Sequence, residues 1–309
     1  MSRTAVIKCF AKINLFLDVV CKRADGYHNI ETIFQTISLH DVMELELTPS
    51  EMEVTCDDPT VPTDSSNLAL KTFLRLKEAT GCKDGVRIKI KKNIPPGSGL
   101  GGGSSNAAAA LVALNRMLGG GLSEEQLRGI ARDLGADVPF FISGGLAAAW
   151  QIGDRLMTLP PIPESFIVIA VPDKLRVSTP QAYAMTGAPN CLDPEPESFS
   201  ECSDRLRACV QALSSDRPAA ENDDALSILH NALERPVFSR YPAIAELKDL
   251  LLAAGAGAAL MSGSGSAVFG FADSIKHANQ IKSAVEESSG ASCFAAQTLD
   301  RGWELIQKP

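Results

Sequence analysis

Residues 97–103 read GSGLGGG, and this run constrains the fold more than any other stretch of the chain. Glycine has no Cβ, so its backbone N–H groups can turn inward and approach an anion closely. An alternating strand pattern, VRIKIKK at 86–92, precedes the run, and an alanine-rich helical pattern from Ser104 to Leu118 follows it. The orphan N–H groups and positive dipole end of that helix would add to an anion site. Strand, glycine loop and helix start in this order predict a phosphate-holding element rather than a linker. Pro95, Gly97, Ser98, Gly99, Leu100, Gly101, Gly102 and Gly103 form its candidate backbone. Ser104 and Ser105 stand where a hydroxyl could cap the helix, bond a phosphate or reach a metal.

Three phosphate motifs compete for the loop. Gly97, Gly99 and Gly102 match G-x-G-x-x-G, but that fingerprint also wants a second strand ending in an acidic residue about 20 residues on. Here Glu124 and Glu125 begin a helix instead. The pattern G-x-x-x-x-G-K-[ST] fails for want of its lysine. The glycine loop of eukaryotic protein kinases lies between strands, and no H-R-D or D-F-G follows this one.

The chain is long enough, at 309 residues, for two modest domains or one large one. Its net charge of −8 argues against nucleic acid or an anionic membrane as partner, while leaving room for an anionic substrate at a local site. Eight cysteines lie scattered at 9, 21, 56, 82, 191, 202, 209 and 293, with no C-x-x-C pair. That spacing predicts neither zinc nor a disulfide framework, and a reducing cytoplasm as location. The N-terminal apolar stretch is broken by Lys8, Lys12, Asn14 and Asp18, so neither a signal peptide nor a membrane span is expected.

Strands are predicted over 4–20, in one or two pieces, and within 32–47 as two pieces split by a His40-Asp41 turn. Residues 64–67 (DSSN) offer N-cap chemistry for a helix that Gly81 stops, and Ser123 begins another that ends near Gly135. FFIS (140–143), LAAAW (146–150) and SFIVIAV (165–171) read as strands. The acidic, proline-bearing stretch 187–202 reads as the start of a mobile insertion extending to 222. Helices near 203–215, 223–234 and 241–254 follow, then strands GAALMSG and AVFGFAD, a helix over 274–288 and two strand-like pieces. Interleaved elements without a strict βαβ rhythm predict an α+β fold, divided near residue 160 into 1–160 and 161–309.

The segment PPGSGLGGGSSNAA (95–108) resembles the second motif of the GHMP kinases. AKINL (11–15) with RADGYH (23–28), and GADVPFF (135–141), are similar to segments of one branch, whose acceptor is a small alcohol carrying cytidine diphosphate. MSGSGSA (261–267) resembles the superfamily's third motif. The resemblance implies a two-domain α+β GHMP kinase fold, with ATP and acceptor meeting in an interdomain cleft. It also implies Mg²⁺ with the ATP and transfer of the γ-phosphoryl group to an alcohol oxygen, in isoprenoid-precursor synthesis. A homoserine- or mevalonate-like acceptor, or a sensor without turnover, are the alternatives; monomer or weak homodimer is the expected state.

On this resemblance Asp137 takes the proton of the attacking hydroxyl or orients it, where by itself it reads as a turn aspartate. Lys12, which alone reads as an edge-strand lysine, is implied to lie beside Asp137 and steady charge on the transferring group. Asn14 is two residues on, so on a strand it shares the face of Lys12 and could bond the acceptor. Tyr27 and His28 are implied to hold cytosine, one by stacking and the other by its polar edge, with Tyr183 a second aromatic wall and Ile152 lining the same pocket. Asn67 falls at an implied adenine contact, and equally well at a helix N-cap. No carboxylate is marked as a Mg²⁺ ligand; Ser105 and water are the candidates beside the phosphates.

Overall fold

The computed structural model describes residues 3–192, 195–214, 217 and 222–307. Two long strands organise it. β1 (Thr4–Lys22) and β2 (His28–Thr48) pair antiparallel along most of their length, with Lys12 opposite Thr36 and Asn14 opposite Phe34. The predicted turn at His40-Asp41 is absent: β2 runs through it, and the register slips between Phe10 and Ala11 so that residues 38 and 39 bulge. Asp41 is fully buried there, because its carboxylate accepts the backbone N–H groups of Asn93 (2.8 Å) and Ile94 (2.9 Å).

β3 (Met52–Cys56), α1 (Leu68–Thr80) and β4 (Gly85–Lys91) follow, then α2 (Gly102–Met117), α3 (Glu124–Leu134) and α4 (Val138–Ser143). α4 contains the FFIS run expected to be a strand. Val138 to Ile142 are all buried, and a continuous apolar run does not distinguish a buried strand from a buried helix. Pro139, in the first turn, suits a helix start. β5 (Leu146–Trp150) and β6 (Arg155–Leu159) complete this part.

β7 (Phe166–Val171), α5 (Thr179–Ala184) and α6 (Asp204–Leu213) come next. The single helix expected over 223–234 is instead α7 (Asp223–Ser227), β8 (His230–Asn231) and the start of α8 (Glu234–Arg240). Asn231 accounts for the break. Its amide donates to the carbonyls of Met261 (2.7 Å) and Gly263 (2.8 Å), and its side-chain oxygen accepts from Leu233 N (2.9 Å). Such side-chain bonding competes with a continuous helix. α9 (Pro242–Ala253), β9 (Ala259–Met261), β10 (Val268–Ala272), α10 (Ile275–Ser289), β11 (Ser292–Gln297) and β12 (Trp303–Gln307) finish the chain.

One sheet runs β12-β1-β2-β4-β3, with β5 and β6 continuing from β2 and β8 beside β1; the other runs β11-β7-β10-β9. The first covers a core with α1 to α4, where Ile7, Cys9, Met43 and Ile88 meet Leu111 and Leu114 of α2. Farther along β1, Ala11, Ile13 and Leu15 enter a second core with Ile167, Ile169 and Phe269 of the second sheet. β1 thus passes from one core into the other, and Lys12 lies where it crosses. The expected α+β fold is what the chain adopts. No helix among the described residues is long and apolar enough to cross a membrane.

The cysteine expectation needs correction. Cys21 and Cys191 form a disulfide across a sequence separation of 170. No local spacing could announce it, because the end of β1 meets residues 189–191 only in the fold: Lys22 N donates to Pro189 O (2.7 Å) and Cys191 N to Lys22 O (2.9 Å). The stretch expected to be mobile is therefore tied down where it is described. Trp150 Nε1 and Gln151 Nε2 also donate to Pro196 O, at 3.1 and 3.0 Å. Residues 193–194, 215–216 and 218–221 of the expected insertion lie outside the described residues.

Candidate active site

α2 is preceded by Gly101 in the left-handed region (φ 74°), where a Cβ would lie 2.8 Å from the Phe141 ring and 3.1 Å from Lys12 Cγ. Gly99 (φ 83°) is tighter still, since a Cβ there would overlap the Ser262 carbonyl oxygen. These glycines let the loop lie flat between β1, α4 and the 262–266 turn. Hydrogen bonds hold it there: Lys12 N donates to Leu100 O (3.0 Å), Ala267 N to Ser98 O (2.9 Å), and Ser262 Oγ to Gly99 O (3.1 Å). The loop's carbonyls are thereby engaged by neighbouring segments, which fixes its position between them.

The Lys12 ammonium faces this loop from β1 and is almost fully buried. Its Nζ donates to Asn14 Oδ1 (2.7 Å), lies 3.7 Å from Asp137 Oδ2 and sits 5.3 Å from the centre of the Phe34 ring. Asn14 in turn donates to Thr32 Oγ1 (2.8 Å), which donates to Phe16 O (2.6 Å). Burial draws the Lys12 pKa below its ordinary value, and the Asp137 charge opposes that only in part. At 3.7 Å the lysine and aspartate form an ion pair rather than a hydrogen bond. Asp137, about one-third exposed, precedes α4 and keeps an open side toward the cleft.

At the far end, His28 and Tyr183 stack on each other, with ring centres 5.4 Å apart and planes at 30°. Burial first, and the nearby Lys22 ammonium second, hold the His28 imidazole below its usual pKa, so it is neutral near pH 7. Burial, then the Asp137 charge, pushes the Tyr183 phenol well above its ordinary range, so it stays protonated. Tyr27 is 62% exposed at the rim. Tyr183 thus stacks on His28, which was expected to read a polar edge, and Tyr27, expected to be the stacking ring, lies outside this pair.

One cleft of about 830 Å³ brings these groups together. Lys12, Asn14, Tyr27, His28, Asn67, Pro95, the run from Gly97 to Ser104, Asp137, Ile152 and Tyr183 all line it. Ser105 does not: it is fully buried in the first turn of α2, and its Oγ has no hydrogen-bond partner among the described residues. Asn67 lines the cleft and also caps α1, accepting from Ala69 N (2.9 Å) and donating to Pro62 O (2.7 Å).

One group escaped the sequence reading. The side chain of Lys92, 5% exposed, pairs with Asp41, lies 3.4 Å from Asn106 Oδ1 and would meet a Cβ on Gly102 at 3.1 Å. It places a second cation at the start of α2. The broken alternation at Lys91-Lys92 was the available signal. Ser264 also lines the cleft, its hydroxyl bonded to Thr179 (2.9 Å).

A cleft with a glycine-cradled helix N-terminus, two buried cations and one open carboxylate has the parts of a small-molecule kinase. The family profiles agree: GHMP kinases N terminal domain matches residues 67–145, and GHMP kinases C terminal matches 201–295. The chain is 37% identical over 300 residues to the 4-diphosphocytidyl-2-C-methyl-D-erythritol kinase of Gloeobacter violaceus, covering 97% of this chain and 96% of that one. A crystal structure of 4-(cytidine 5'-diphospho)-2C-methyl-D-erythritol kinase superposes with a TM-score of 0.75 at 35% identity, covering 95% and 98% of the two chains. A homoserine kinase from Cytophaga hutchinsonii shares the fold at 19% identity, with a TM-score of 0.71 over 99% and 98% of the two chains. The chain belongs to the GHMP kinase family, on the branch whose curated members are 4-diphosphocytidyl-2-C-methyl-D-erythritol kinases.

Proposed function

We propose that this protein transfers the γ-phosphoryl group of ATP to the 2-hydroxyl of 4-diphosphocytidyl-2-C-methyl-D-erythritol, in non-mevalonate isoprenoid-precursor synthesis. The observation that carries the reading is the Lys12–Asp137 pair facing the α2 N-terminus, in the same cleft as the His28–Tyr183 stack. ATP phosphates lie against the loop from Gly97 to Gly103, with Lys92 supplying charge beside Gly102. The cytosine end of the acceptor lies at His28, Tyr183 and Ile152, and its erythritol end reaches Lys12 and Asn14.

In the transfer, the bond from the γ-phosphorus to the β,γ-bridging oxygen breaks as a bond to the acceptor oxygen forms. The hydroxyl proton passes to Asp137, and ADP leaves. Lys12 is held by Asn14 and offsets charge gathering on the transferring oxygens. Because Lys12 is desolvated, that attraction is stronger than it would be in water.

No group of three or more metal-ligating side chains occurs among the described residues. Mg²⁺ accompanying ATP is commonly held by one or two protein oxygens with substrate phosphates and water. The open Asp137 carboxylate is one oxygen this chain offers at the cleft, whereas the Ser105 hydroxyl expected there is buried away from it. Bound there, Mg²⁺ would neutralise charge on the β- and γ-phosphates.

The cleft is proposed to separate two domains near residue 160, with β12 returning to the first sheet. Acceptors such as homoserine or mevalonate would leave the His28–Tyr183 stack unused. The test is incubation with ATP–Mg²⁺ and each acceptor in turn, following ADP and the phosphorylated product. Turnover confined to the cytidine-bearing acceptor is expected. Turnover of mevalonate or homoserine instead, or none beside an active control enzyme, contradicts the reading.

A further inference from the structure

The Cys21–Cys191 bond joins the two segments that carry the aromatic end of the cleft. Cys21 is the penultimate residue of β1, seven residues before His28. Cys191 lies eight residues after Tyr183, which is anchored to the same segment by Thr186, whose Oγ1 donates to Tyr183 O (2.7 Å). His28 and Tyr183 are therefore held in register both by their own stacking and by a covalent link behind them.

The link is also wired to the turn that carries Tyr27. Asn29 Nδ2 points at both sulfurs, 3.7 Å from Cys21 Sγ and 3.6 Å from Cys191 Sγ. Arg23 donates to Asn29 Oδ1 (3.2 Å) and pairs with Asp25 and with Glu195, beyond the disulfide. Asp25 accepts from Tyr27 N (3.0 Å). By contrast, the glycine loop is held by β1 at Lys12, nine residues before Cys21, and by the 262–266 turn. Both cysteines are half-buried rather than sealed in a core.

Building on the acceptor site proposed above, we infer that Cys21–Cys191 is a redox-sensitive strap that sets the affinity of the cytidine subsite without affecting the ATP subsite. Two-electron reduction by a dithiol breaks the Sγ–Sγ bond; each sulfur takes a proton and the dithiol closes to its own disulfide. The segment after Tyr183 then keeps its hydrogen bonds, the Arg23–Glu195 pair and the apolar packing of Met185, and the stack loses its covalent backing. Reversible disulfides in reducing compartments commonly serve such sensing roles.

The test compares oxidised protein, protein reduced with dithiothreitol, and Cys191→Ser, with bond status read by intact mass. Reduction is expected to raise the acceptor KM about tenfold and leave the ATP KM within about twofold. Cys191→Ser should match the reduced protein and ignore the dithiol, which sets aside the six remaining thiols. An unchanged acceptor KM with the bond broken overturns the inference, as does a Cys191→Ser protein that still responds to dithiol. Calorimetric titration with CDP separates this from the catalytic assignment. If oxidised protein lacks turnover but its CDP affinity falls on reduction, the strap stands and the assigned reaction fails. If CDP affinity does not move, the strap fails.

Discussion

Lys12 Nζ lies 3.7 Å from Asp137 Oδ2, and the two residues come from elements that share no local sequence: the middle of β1 and the turn before α4. Between them the glycine loop leaves room because Gly101 carries no Cβ to meet Lys12 Cγ and the Phe141 ring. Cation, carboxylate and helix N-terminus thus meet at one point, and each can be perturbed separately.

Burial lowers the Lys12 pKa, so its ammonium is lost at a lower pH than that of an ordinary lysine, about 10.4. Since the charged form is the useful one, kcat/KM should fall on an alkaline limb below that value. Lys12→Arg stays charged at all accessible pH and should shift the limb upward while lowering the plateau. A limb that does not move in Lys12→Arg assigns it to another group.

Gly99→Ala forces a side chain into the Ser262 carbonyl at φ 83°. The expected cost is about 1–3 kcal/mol of unfolding free energy, with a raised ATP KM. Gly121→Ala, where a Cβ meets nothing within 4 Å, is the control and should leave the ATP KM unchanged. Denaturant unfolding and ATP kinetics on both variants decide the matter; equal ATP affinities would disconnect the loop from the nucleotide.

Tyr183→Ala removes the partner of His28 and should raise the acceptor KM about tenfold while sparing that of ATP. Tyr183→Phe keeps the ring and should behave nearly as wild type. Were Phe as damaging as Ala, the phenol and not the stacking surface would be the working part.

Much of this was legible because it rests on local chemistry. The glycine loop announces itself through residues that only a close approach requires, and α1, α3 and β4 through caps and alternation. The Lys12–Asp137 pairing came from family resemblance, since nothing in their spacing predicts contact. FFIS was ambiguous because burial on all sides erases the difference between strand and helix periods. The break at Asn231, the Asp41–Lys92 pair and the Cys21–Cys191 bond depend on tertiary register and left no local mark beyond the doubled lysine at 91–92. Ser105 was expected to cap the helix or reach a phosphate, but it lies buried inside the first turn of α2, a placement that depends on helix phase.

Asp137→Asn tests the central claim most directly, because it keeps the shape of the side chain and removes the charge beside Lys12. With ATP–Mg²⁺ and the cytidine-bearing acceptor, kcat should fall by about 10²–10⁴-fold, while ATP affinity by calorimetry stays within about twofold. A variant that turns over at the wild-type rate would remove Asp137 from the transfer and contradict the account.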